Sequence, residues 1–174
     1  IGLPVENNSW THIWTCLQKW SEIAELPPLG TEHLYGLPQQ RFWRTIMGDI
    51  LPEHKEDTTW TRIAAATDVL VEEWLSNTIN LPSRGSTPPT GPPAEALFSA
   101  TLGRAFLRTE SGQFGLCFPN ARPGDEVWVL AGGKVPFVLR GVEDIDQIAV
   151  GDGTSPRIKR FVGECYLHGS LDGE

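Results

Sequence analysis

At Gly103 the periodicity of the chain changes, and that change limits the fold more than any other feature of the sequence. Before it, apolar residues recur at intervals of three and four between proline-rich breaks; after it, short apolar or alternating runs are separated by glycine turns. The first pattern is that of amphipathic helices and the second that of a small antiparallel sheet, so the expected class is α+β. For 174 residues the area scalings of folded and extended chains give a burial of about 70%, enough for one core.

Residues 8–26 predict a first helix, with Asn8 or Ser9 as cap and Trp10, Ile13, Trp14, Leu17, Trp20, Ile23 and Ala24 on one stripe, stopped by Pro27-Pro28. Rings at that spacing pack a core rather than form a ligand platform. A second helix is expected from Pro38 to Leu51, where Phe42, Trp43, Ile46, Met47 and Ile50 share a face and Pro52 follows. A third is expected from Asp57 or Thr58 to about Asn80, carrying Trp60, Ile63, Val71, Trp74 and Leu75. The stretch from 80 to 93 holds five prolines and two glycines and reads as a surface loop. Ala94 to Leu102 reads as a short helix that Gly103 stops.

Strands are expected at Arg104–Thr109 and Phe114–Phe118, joined by Ser111-Gly112-Gln113 as a hairpin. After the Pro123-Gly124 turn come Glu126–Leu130, the turn Ala131–Lys134, and Val135–Arg140, whose Pro136 suggests an edge or a bulge. Alternation would place Val135, Phe137 and Leu139 inside. A last strand, Phe161–His168, would put Phe161, Gly163, Cys165 and Leu167 on one face, with Gly163 leaving room for an aromatic ring or another backbone. Between them, residues 141–160 read as a solvated loop, with Ile145, Ile148 and Val150 as candidates for a further strand within it. The expected architecture is a helical region, 1–102, packed on a small SH3-like or related β-barrel, 103–174, the two sharing one core.

Charge excludes one class of partner. Residues 1–103 carry 6 basic and 12 acidic side chains and residues 104–174 carry 8 and 10, so neither half offers the basic face that nucleic acid requires. The net charge is −8, and no apolar run approaches the length of a membrane span. Cys16, Cys117 and Cys165 are odd in number and unpatterned, the pattern of free thiols in a reducing, cytoplasmic setting. The chain begins without an initiator methionine or leader pattern and reads as a piece of a longer protein.

Chemistry-bearing residues gather near the end of the chain. Glu164, Cys165 and His168, with Asp172 downstream, invite a cysteine-hydrolase reading in which His168 deprotonates Cys165. On a regular strand, however, residues 165 and 168 point to opposite faces, and the expected roles are a buried Cys165 and a hydrogen-bonded His168. A lone Cys-x-x-His does not make a zinc site, and no metal or cofactor is expected. Gly112–Gly115 and Gly151–Gly153 match no phosphate-loop pattern and read as turns. Arg104, Arg108, Arg140 and Arg160 are expected to pair across strands with Glu110, Glu126 and Glu164; Arg104 and Arg140 are also candidates for anion or small-molecule binding at the barrel mouth.

Arg41 to Asp49 (RFWRTIMGD), Gly103-Arg104 with Phe106 and Thr109, Gly115-Leu116, Arg122 to Asp125 (RPGD), Val135 to Arg140 (VPFVLR), and Val162 to Tyr166 with His168-Gly169 and Asp172 to Glu174 form a discontinuous string. That string resembles the region C-terminal to the HET domain in fungal heterokaryon incompatibility proteins. The resemblance nearly spans the chain, VPFVLR and VGECYxHGxxDGE being its most specific pieces. It implies a non-catalytic regulatory or recognition module, whose partner is the N-terminal HET domain of the same chain or another protein. Cell-death activity in that family is attributed to the HET domain, whose opening motif has no counterpart here. The family supplies no catalytic residues for this half; Tyr166, His168 and Asp172 match its pattern and are read as closing the barrel, and Arg104, Arg140, Glu164, Tyr166, His168 and Asp172 are the ligand-binding candidates.

Overall fold

The tryptophan stripe sets the first helix. In the computed structural model of the chain, which describes residues 1–6, 9–29, 37–53, 59–78, 88–142 and 158–170, α1 runs Trp10–Ile23 and buries Trp10, Ile13, Trp14, Leu17 and Trp20 on one side. It ends before the prolines: Ala24 and Glu25 turn the chain, and Glu25 takes a left-handed backbone (φ 58°).

The second helix, α2 (Leu37–Ile46), is shorter than its apolar stripe predicts. Gly48 (φ 68°) and Asp49 (φ 58°) form a Schellman-type end, with Asp49 N–H donating to Arg44 O at 2.7 Å and Gly48 N–H to Thr45 O at 3.0 Å. The chain then straightens into β1 (Ile50–Pro52), which pairs antiparallel with β2 (Trp60–Arg62). Trp60 therefore opens a strand rather than the third helix, and α3 occupies Ala65–Thr78. Residues 54–58, where that helix was expected to begin, lie outside the described set. So does most of the 80–93 loop; its end is helical, because Pro92 and Pro93 supply the first turn of α4 (Pro92–Thr101). Gly103 (φ 71°) turns the chain away from that helix.

The sheet follows as β3 (Ala105–Arg108), β4 (Phe114–Cys117), β5 (Glu126–Trp128), β6 (Phe137–Gly141) and β7 (Lys159–Leu167), in the spatial order β3-β4-β7-β6-β5 with all described pairs antiparallel. Both expected hairpins form, and β7 joins them. The expected closed barrel does not. The two outer strands, β3 and β5, are not paired with each other, so the sheet is an open half-barrel. Residues 2–5 flank part of β3, with Gly2 N–H donating to Phe106 O at 2.7 Å and Val5 N–H to Arg104 O at 3.0 Å.

Two details of the last strands differ from simple alternation. Val138 sits opposite Gly163, but Leu139 sits opposite Phe161, so β7 carries one extra residue at Val162. That bulge turns Phe161 outward, 59% exposed and 5.8 Å from the Phe137 ring, while Gly163, Cys165 and Leu167 stay inside. Val138 is the buried residue of β6, and Val135, Phe137 and Leu139 are only half-buried. Pro136 stands just before β6, which is an inner strand; its carbonyl accepts from Cys165 N–H at 2.9 Å.

One apolar cluster joins the four helices to the first hairpin through Phe106, Phe114 and Leu116, with Trp20 stacked on Phe106 (5.8 Å, 22°) and Phe42 at 5.5 Å from it. A second, smaller cluster fills the inside of the curled sheet with Ala105, Leu107, Cys117, Val138, Cys165 and Leu167. No described helix is long and apolar enough to cross a membrane.

Candidate functional site

Antiparallel pairing places Cys165 on the inner face of β7, directly across from Cys117 of β4, and both are buried. Burial pushes the Cys117 thiol up to about 12 and the Cys165 thiol up to about 11, so at neutral pH both stay protonated and are weak nucleophiles. His168 lies past the end of β7 on the other side, where its Nδ1 meets the Tyr166 hydroxyl at 2.9 Å. Thiol and imidazole thus face apart, as strand parity requires, and the hydrolase arrangement of Cys165 with His168 is not assembled. Asp172 lies outside the described residues. No group of three His, Cys, Asp or Glu side chains that could hold a metal ion occurs among the described residues.

The arginines divide between different tasks, and the expected strand-to-strand pairs are replaced. Arg140 grips the turn before β5: its Nε donates to Asp125 Oδ1 at 2.7 Å, and its Nη2 donates to Asp125 Oδ2 and to Asn120 O at 2.8 Å each. Arg122 N–H donates to the same carboxylate at 2.8 Å, so RPGD and VPFVLR are locked together. Arg108 reaches back to Glu25 at the end of α1 (2.9 Å), and Lys159 pairs with Glu126. Long-range turns and the bulge bring these groups closer than the cross-strand register does, which the local spacing of charges does not reveal. Arg104, by contrast, has no ion pair among the described residues, and Glu164 is exposed.

The Arg140 guanidinium holds the Asp125 carboxyl below its ordinary value, helped by Arg122 N–H against the opposing effect of burial. A carboxylate whose folded pKa is depressed adds stability above its unfolded value, near pH 4, and that stability is lost as pH falls through the folded one. In urea melts between pH 7 and pH 2, wild type therefore loses more stability on acidification than Asp125→Asn does. Parallel curves for the two proteins would sink this assignment.

Two concavities stand out. The larger, of about 1040 Å³, opens between the outer strands β3 and β5; Leu107, Val127, Val138 and Leu167 supply apolar lining, and Arg122, Glu126 and Trp128 stand at its β5 side. Arg140 does not line it, although its partner Asp125 does. The smaller, of about 300 Å³, lies where the helical part meets the sheet, between α4, the β1–β2 hairpin and the outer face of β4 and β7. Arg104 and Tyr166 line it together; Arg140 does not, so the two arginines expected at one mouth serve different places.

Sequence reasoning missed Trp60, Ser99 and Trp128 as cavity-lining residues. The spacing of the first fits a helix face, the second carries no pattern, and the third gains its position only because the barrel stays open. Compared with models of protein families, with curated proteins and with solved structures, the chain gives no match.

Proposed function

We propose that this chain is a non-catalytic regulatory or recognition module of a heterokaryon incompatibility protein, which restrains the HET domain or presents a partner to it. The observation that carries this reading is the cleft of about 1040 Å³ between the two outer strands. Residues 2–5 already cover part of the β3 edge, but the outer edge of β5 has no partner among the described residues and stands beside an apolar floor, a combination that receives an extended segment of another domain. Support also comes from the matching strings of the resemblance: RPGD forms the rim beside β5, and Arg140 of VPFVLR braces it. The buried, protonated thiols favour binding over covalent catalysis.

The occupant is a segment of the HET domain, on the same polypeptide or another. Titration calorimetry of the purified chain with a purified HET domain is expected to show association, and Trp128→Ala, at the cleft rim, is expected to weaken it at least about tenfold. Absence of association at the highest workable concentration overturns the reading, as does full binding by Trp128→Ala together with Val127→Lys.

A further inference from the structure

The smaller concavity carries a separate inference, independent of any HET partner. It is formed at a junction: Ala96, Ser99 and Ala100 supply one face of α4, Ile50 and Trp60 come from the β1–β2 hairpin, and Leu116 and Tyr166 from the sheet. Clefts between two packed parts of a chain are a preferred place for small ligands, and about 300 Å³ lies at the small end of the range that such sites occupy. Alanine and serine on α4 keep the space open where larger side chains would fill it. Gly48 adds to this, since its left-handed backbone (φ 68°) ends α2 beneath the opening.

The walls are apolar and unusually exposed for their size. Trp60 is 39% and Ile50 37% exposed, both at the opening, while Leu116 is buried beneath. Against this apolar lining stands one cation. The Arg104 guanidinium meets no carboxylate among the described residues, whereas Arg44, Arg108 and Arg140 each have one. Among the described residues no carboxylate lines this cavity, and Asp49, between the lining residues Gly48 and Ile50, is engaged by Arg44 at 3.3 Å and Arg62 at 3.6 Å. The Tyr166 hydroxyl is tied to His168 Nδ1, which fixes the phenol ring as a wall.

We infer that the cavity between α4, the β1–β2 hairpin and the outer face of β4–β7 is a binding site for a small organic acid, whose apolar or aromatic body lies against Trp60, Ile50 and Leu116 and whose carboxylate meets Arg104. A planar guanidinium is matched to a carboxylate, and an apolar floor rejects a ligand that is polar throughout. The size of the cavity selects a single ring or a short alkyl chain.

Phenylacetate and octanoate, with phenylacetamide and octanamide as uncharged counterparts, test this by chemical-shift titration of the isotope-labelled chain. The acids are expected to shift resonances of Trp60, Ser99 and Arg104, with at least one acid binding about tenfold or more tightly than its amide. Arg104→Gln removes that preference while leaving the weaker apolar binding. Ser99→Phe, placed on an exposed position of α4, fills the space and abolishes both without disturbing the core. The inference is overturned if neither acid shifts these resonances, if acid and amide bind alike, or if Ser99→Phe binds as wild type does.

Discussion

Replacing Trp20 by alanine lowers stability by about 3–5 kcal/mol, which for a chain of this length lowers the thermal midpoint by roughly 6–20 °C. Trp20 is fully buried in the last turn of α1, stacked on Phe106 of β3, so its loss opens a cavity where helix and sheet meet. Its indole N–H donates to Leu3 O at 2.8 Å, which ties down the segment that flanks β3. Gly2 fits under the same ring with no room for a Cβ. Trp20→Phe keeps a ring on Phe106 but loses the donor and part of the volume, and it is expected to fall between wild type and alanine. Trp60→Ala, at a site 39% exposed, is expected to cost much less. Thermal melts of the three variants decide the matter: similar midpoints for Trp20→Ala and Trp60→Ala would show that Trp20 does not join the two parts.

Much of this architecture is legible in the residues, and the misses have physical causes. The change of period at Gly103 marks where helices give way to strands, and the left-handed backbone there is the reason a glycine stands at that point. The end of α2 was equally marked, by Gly48, yet Ile50 continued the apolar spacing of Ile46 and Met47 and concealed the break. Trp60 fits a helical stripe by spacing alone, and its true partner strand, Ile50–Pro52, leaves no signal, because a strand of three residues shows no period of its own. The bulge at Val162 is silent in the sequence, since a single extra residue leaves composition unchanged while reversing which side chains face inward. Barrel closure could not be read either, because it depends on whether two strands distant in the chain, β3 and β5, reach one another.

The candidate sites divide along the same line. Parity on one strand is local, so the separation of Cys165 from His168 followed from counting residues. Which arginine is left without a carboxylate is not local. Arg104 and Arg140 look alike as isolated cations beside strands, and only the fold shows that the turn at Asp125 takes one and leaves the other at a cavity. Assigning both to one mouth assumed a closed barrel with a single opening; the open sheet instead separates a cleft between its outer strands from a pocket against the helices.

Gly115→Ala is expected to cost about 3 kcal/mol or more, at or above the upper end of ordinary overpacking, and Gly163→Ala considerably less. Both glycines sit inside the sheet with no left-handed backbone to maintain, so the difference comes from what a methyl group would strike. At Gly115 it would overlap the Tyr166 carbonyl oxygen of β7 and lie 3.3 Å from Leu107 of β3, caught between two strands. A carbonyl in a ladder cannot move without breaking the pairing of β4 with β7, through which the first hairpin joins the rest of the sheet. At Gly163 the obstacle is the Phe118 ring, with Cγ at 2.9 Å, and that side chain is 51% exposed and free to swing toward solvent. The close approach of an aromatic ring to Gly163 is thus real but yielding, whereas the approach of two strands at Gly115 is rigid. Urea denaturation should rank Gly115→Ala well below Gly163→Ala, and Gly115→Ala should also lose the proposed HET-domain binding, because the cleft needs both hairpins in register. Equal stabilities would mean that β4 and β7 tolerate separation, and the cleft would then owe its shape to something other than their pairing.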